Sequence, residues 1–135
     1  MPSALILNRQ RGYPSHRLGL SEFLTRVAAG LRPGGDFTVV LVSDRVMRRY
    51  NHKYRGQDGT TDVLSFEGEG GYLGDILISA ETAFRQSARS KTLTFEANMK
   101  RLALHGLLHL MGHDHETDDG EMRAIETRLR RRFKC

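Results

Sequence analysis

Apolar positions along the chain alternate between two spacings, and the changes of spacing mark out its elements. Ala4 to Asn8 has the short aliphatic character of a strand. From Leu18 to Leu31, the residues Leu20, Phe23, Leu24, Val27 and Leu31 recur at the spacing of one helical face, and Pro33-Gly34-Gly35 ends the segment. Phe37 to Val42 is a continuous apolar and β-branched run, the pattern of a buried strand. Asp44 can cap a helix with an apolar face of Val46, Met47, Tyr50 and Tyr54 and a basic face of Arg45, Arg48, Arg49 and Lys53.

A polar loop rich in Gly, Asp and Thr runs from Arg55 to Asp62, and Val63 to Phe66 reads as a strand. Gly68 to Gly71 forms the turn of a hairpin leading to Tyr72–Ile78. Ser79 is placed to cap a helix through Ala83, Phe84 and Ala88. A long helix is expected from about Thr94 to Met111; it is apolar on several sides from Leu102 onward, which suits a central buried position. Asp118 with Glu121 resembles a capping box opening a last helix that turns Met122, Ile125, Leu129 and Phe133 inward. The order of strand, helix, strand, helix, hairpin and three helices predicts an α/β sandwich with a small mixed four-stranded sheet and about five helices, in one domain over residues 1–135.

Composition narrows the class. The 135 residues suffice to bury a core without staples, and 39% apolar with 27% charged residues is ordinary for a soluble protein. No apolar run approaches a membrane span, and the N-terminus lacks the pattern of a secretory leader, so a cytoplasmic protein is expected. Cys135 is the only cysteine, which excludes an intrachain disulfide and a thiolate zinc site. Net charge is 21 − 16 = +5, compatible with a polyanionic partner such as nucleic acid. The basic run Arg128 to Lys134 also has a structural explanation: acidic residues open the last helix and basic ones close it, compensating its dipole.

The stretch His105 to His115 carries the candidate chemistry. On a helix, His105 and His109 lie four residues apart on one face and can converge on one ion. Gly112 can take a positive φ and turn the chain back, bringing His115 towards the same point; His113 could replace it as third ligand, and Asp114 could also bind. Any one of these histidines is adequately explained as partly buried and bonded to a backbone carbonyl. Three at this spacing, with a glycine between, point to a metal site at the end of the long helix, with a fourth position left for water or substrate. The spacing matches an extended metalloprotease pattern except that Gly106 stands where such an enzyme carries its glutamate base.

A second polar cluster lies in the Arg55 to Asp62 loop. Arg55 presents a planar fork of donors suited to phosphate, although the loop alone is better explained by a solvated arginine. Thr61 and Asp62 read as loop-closing residues bonded to backbone amides. Asp75, a carboxylate in an apolar strand, needs a partner, either a ligand histidine or a neighbouring loop.

Four blocks together resemble the YbeY family of bacterial ribosomal RNA maturation factors: Tyr54-Arg55; Thr61-Asp62-Val63-Leu64-Ser65-Phe66; Leu73-Gly74-Asp75-Ile76-Leu77-Ile78-Ser79; and the histidine block ending in Asp114-His115. The resemblance runs from about Asn51 to Glu126. It implies a zinc-dependent, single-strand-specific endoribonuclease acting in small-subunit ribosomal RNA maturation and ribosome quality control in the cytoplasm. Its implied partners are single-stranded RNA, ribosomal RNA and the small ribosomal subunit. The family's metal ligands fall on His105, His109 and His115, and its functionally important arginine on Arg55. Asp114 is expected to orient a ligand imidazole or act as a base. Thr60 departs from a usual proline and His113 from a usual aromatic residue. The alternatives are a ribosome-binding factor that a metal merely stabilises, and a metal-dependent hydrolase of another substrate.

Overall fold

Among the described residues four strands and five helices follow one another: β1 (Ala4–Asn8), α1 (Leu20–Leu31), β2 (Asp36–Val42), α2 (Asp44–Arg55), β3 (Val63–Glu67), β4 (Tyr72–Ser79), α3 (Ala80–Ala88), α4 (Phe95–Leu110) and α5 (Glu121–Phe133). The computed structural model describes residues 3–13, 19–113, 120–133 and 135. The strands form one mixed sheet in the order β1-β2-β4-β3; β1, β2 and β4 are parallel, and β3 is the antiparallel edge of the β3–β4 hairpin. The expected mixed sheet, hairpin and five helices are all present. No described helix is long and apolar enough to cross a membrane.

Strand alternation divides the apolar residues between two layers. Phe37, Val39 and Leu41 of β2 and Ile76 and Ile78 of β4 face the main core, where they meet Phe23, Leu24 and Val27 of α1, Leu104, Leu107 and Leu108 of α4, and Met122 and Leu129 of α5. Val42, Leu64 and Leu77 point to the other face and pack under α2 through Met47. Among the described residues helix α2 is the one element on that second face, and it leaves part of the sheet there uncovered.

Two local expectations change on α2. Ser43, not Asp44, is the cap, its hydroxyl accepting from the Val46 amide at 3.3 Å. Of the expected apolar face only Met47 is buried, whereas Tyr50 and Tyr54 are 38% and 54% exposed. The expected Asp118 capping box lies outside the described residues, as does Leu18 at the expected start of α1. Ser79 and Thr94 do cap α3 and α4, accepting from Thr82 and Ala97 amides.

Asp44 instead joins α2 to α3. Its carboxylate accepts from the Ser79 and Thr82 hydroxyls at 2.6 Å each and pairs with Arg85 at 2.7 Å. Burial alone would raise this carboxyl, but the three donors and the Arg85 charge outweigh it and hold the pKa at about 2 against an ordinary 3.8. A depressed pKa stabilises the fold above the unfolded value and loses that contribution as pH falls through the folded one. The difference of nearly two units corresponds to roughly 2 kcal/mol, present above about pH 4 and lost between pH 4 and pH 2. Asp44→Asn is expected to flatten this part of the stability curve, measured as urea midpoints from pH 6 down to pH 2.

Candidate functional site

Helix α4 lies close against the sheet at Gly106, which has no side chain to hold the two apart. A Cβ built there would stand 2.5 Å from Cγ2 of Ile76 and 3.1 Å from the Ser65 hydroxyl. Ser65 donates to the Gly106 carbonyl at 3.1 Å, tying the helix to edge strand β3. Nearer its start, the buried Asn98 amide donates to the Ala83 carbonyl and the Gln86 side chain at 2.9 Å each, fixing α4 on α3. The helix ends in a glycine motif: Gly112, at φ 99°, donates to the His109 carbonyl, and His113 donates to that of Leu108, each at 3.0 Å. The turn expected at Gly112 is therefore present.

His105 and His109 converge on the outer face of this fixed helix. Their Nε2 atoms are 3.0 Å apart, and Nδ1 of His105 lies 2.6 Å from Oε1 of Glu126 on α5. A carboxylate only accepts, so Glu126 keeps the proton on Nδ1 and leaves Nε2 of His105 with its lone pair. The 3.0 Å contact is then a hydrogen bond that Nε2–H of His109 donates to Nε2 of His105; were His109 to carry its proton on Nδ1 instead, both nitrogens would turn lone pairs to the same point. Two imidazole nitrogens on one tetrahedral zinc ion stand about 3.3 Å apart at bond lengths of about 2.0–2.1 Å. The donor pair therefore fits a shared cation, and Glu126 is the carboxylate that such a ligand imidazole usually engages. Among the described residues no third His, Cys, Asp or Glu completes the group. His115 and Asp114, expected as third ligand and orienting carboxylate, lie outside the described residues. His113, the alternative ligand, is the third residue past the helix end.

The second expected cluster is distributed differently. Arg55 is the last residue of α2 and is exposed, and α2 lies on the sheet face opposite α4. The bonds from backbone amides expected at the Thr61 and Asp62 side chains are not found among the described residues: the Asp62 carboxylate accepts from the Gln86 side chain at 3.1 Å and from the Thr61 hydroxyl at 3.5 Å, and its backbone carbonyl accepts from the Ser79 amide at 2.9 Å. Asp75 points away from the histidines and accepts from the Tyr72 hydroxyl at 2.5 Å, which also lies 2.5 Å from the Thr38 hydroxyl. Burial, with the hydrogen bond to Asp75 next, raises the Tyr72 pKa, so that hydroxyl stays protonated.

Glu126 was missed by sequence reasoning although a signal existed. It interrupts the inward series Met122, Ile125 and Leu129 of an amphipathic helix, and a carboxylate in that position requires a partner.

Comparison with known proteins places this architecture among endoribonucleases, hydrolases acting on RNA. Residues 19–134 match the family model described as Endoribonuclease YbeY. The chain belongs to the Endoribonuclease YbeY family. It is 41% identical over 114 residues to the Endoribonuclease YbeY of Solibacter usitatus, covering 84% of this chain and 77% of that one. Identity to the Geobacter metallireducens protein of the same name is 38% over 138 residues, covering 95% and 91% of the two chains. The solution structure of TM1509 from Thermotoga maritima superposes with a TM-score of 0.63 at 28% identity, over 96% of this chain and 88% of that one.

Proposed function

We propose that the chain, as a single domain over residues 1–135, is a zinc-dependent, single-strand-specific endoribonuclease of the bacterial cytoplasm, acting in small-subunit ribosomal RNA maturation and ribosome quality control. The observation that carries the metal assignment is the pair of Nε2 atoms 3.0 Å apart on α4, one of them set by Glu126. His105, His109 and His115 hold the ion, with His113 as the alternative third ligand. When bound, zinc supplies Lewis acidity towards a phosphoryl oxygen and activates water near neutral pH.

The chain's own residues supply the rest. Glu126 holds the His105 ring and its tautomer through Nδ1. Arg55 stabilises charge on the phosphoryl oxygens of the scissile bond, as the family resemblance at Tyr54-Arg55 implies. Asp114 orients a ligand imidazole or accepts a proton. The exposed cations of α2 attract the RNA backbone.

The test is cleavage of one RNA sequence in single-stranded and duplex form, before and after chelation and with zinc restored. The proposal expects cutting of the single strand alone, lost on chelation with the circular dichroism spectrum kept, and recovered with zinc. Unfolding on chelation would instead indicate a metal that only holds α4 and α5 together. Glu126→Gln keeps the shape but loses the carboxylate. It is expected to weaken zinc affinity roughly 10–100-fold, measured by chelator competition.

A further inference from the structure

The uncovered part of the second sheet face forms a groove that the nuclease chemistry does not use. It has a volume of about 830 Å³; Val40, Val42 and Leu77 form an apolar floor, with Thr38 and Asp75 beside them and Arg9 on the β1 side. Its other wall is the row Val46, Tyr50 and Tyr54 of α2. The two tyrosine rings stack at 5.8 Å and 10°, and Phe66 meets Tyr54 edge-on at 5.0 Å. A buried aromatic cluster would need no further account, but these tyrosines are 38% and 54% exposed. Helical geometry puts Arg45, Arg49 and Lys53, all exposed, in a parallel row on the solvent side of Val46, Tyr50 and Tyr54. Lys53 Nζ stands 5.3 Å from the Tyr54 ring centre.

We propose that this groove is a base-stacking subsite for single-stranded RNA, with bases on the Tyr50 and Tyr54 rings and phosphates along the Arg45, Arg49 and Lys53 row. The assignment rests on the ribonuclease reading for the choice of RNA. The distribution of charge supports it. Cations line the α2 rim where a phosphate backbone would run, whereas two carboxylates, Asp75 and the exposed Glu67 at the end of β3, line the groove itself, where base amino groups can donate to them. Stacking on exposed aromatic rings is sequence-tolerant and is a recurrent way of holding single strands. Strand β3 links the two regions: Phe66 touches the tyrosines, and its neighbour Ser65, on the opposite face, is bonded to Gly106 between the two histidines. A strand held in the groove therefore has only the sheet edge to cross to reach α4.

The experiment measures binding of a cleavage-resistant phosphorothioate RNA 12-mer, carrying 2-aminopurine, to the zinc-loaded full chain, with cleavage of the unmodified RNA followed in parallel. The double variant Tyr50→Leu and Tyr54→Leu keeps apolar cover over Phe66 while removing both π-faces, and thermal unfolding checks its fold. Binding is expected to weaken roughly tenfold or more, with loss of the 2-aminopurine quenching that reports stacking. Arg49→Gln with Lys53→Gln is expected to lower the salt slope of binding by about 1.4, from about 0.7 per phosphate contact on a single strand. If the leucine variant binds and quenches within twofold of wild type, the subsite is overturned and the groove is left to a polypeptide partner; unchanged cleavage would then leave the nuclease reading intact. If wild type binds and stacks but does not cut, the groove stands and the nuclease reading fails. Absence of wild-type binding overturns the groove whatever the cleavage result.

Discussion

His109→Ala is expected to lower cleavage of single-stranded RNA by about a hundredfold or more while the protein stays folded, because it removes one of the imidazoles proposed above to hold the cation. Alanine is the best helix former, and His109 contributes to neither core cluster, so α4 keeps its seat through Leu104, Leu107 and Leu108. The same variant is expected to lose most of its zinc affinity. Arg55→Ala provides the contrast, since its side chain is exposed at the end of α2. An arginine that stabilises transition-state charge is expected to lower kcat by roughly 10²–10³-fold on removal. Zinc affinity should stay within twofold of wild type. Paired titrations of zinc and steady-state cleavage separate the two roles. Wild-type cleavage by both variants would move the activity away from this site altogether.

The contrast between these two positions reflects what local pattern can and cannot specify. His105 and His109 were readable because a helix fixes the relation of residues four apart, whatever the rest of the fold does. The hairpin and β1 were readable for a similar reason: turn glycines and aliphatic runs act over a few residues, and β1 occupies its expected span. Asp44 shows the limit. Capping preferences pointed to it, but Ser43, one residue earlier, provides the cap, and the Asp44 carboxylate is claimed by Ser79, Thr82 and Arg85. Those partners are 35 to 41 positions further along the chain, beyond any local rule. Tyr50 and Tyr54 were read as an inward face because periodicity identifies an apolar stripe without saying how much surface is available to cover it. Among the described residues the sheet meets α2 alone on this face, and the stripe is wider than the contact. Glu126 was legible as a misplaced carboxylate; its partner His105, 21 residues upstream on another helix, was not.

Gly106→Glu, the substitution that would restore a metalloprotease-like His-Glu-x-x-His, is expected to unfold or severely destabilise the chain rather than create a peptidase. The sequence shows only that the glutamate is missing. The structure adds that the position faces Ile76 and Ser65 across the α4–sheet contact. A carboxylate there would be buried without a partner, at a cost of several kcal/mol. Gly106→Ala isolates the steric part. Alanine favours the helix by about 0.8–1 kcal/mol over glycine, whereas a single extra methyl in a filled contact costs about 1–3 kcal/mol. Overpacking should win, because the nearest atom is a methyl of fully buried Ile76, a β-branched residue with little room to rotate. The expected net loss is about 1 kcal/mol, which lowers the urea midpoint by roughly 0.5 M for a slope of about 2 kcal/mol per molar. Zinc affinity should fall with it, since a helix lifted from β4 carries His105 away from Glu126 on α5. A Gly106→Ala protein with a wild-type midpoint and wild-type zinc affinity would show that α4 can rise without disturbing the histidines. Close seating on the sheet would then not be what aligns the metal pair.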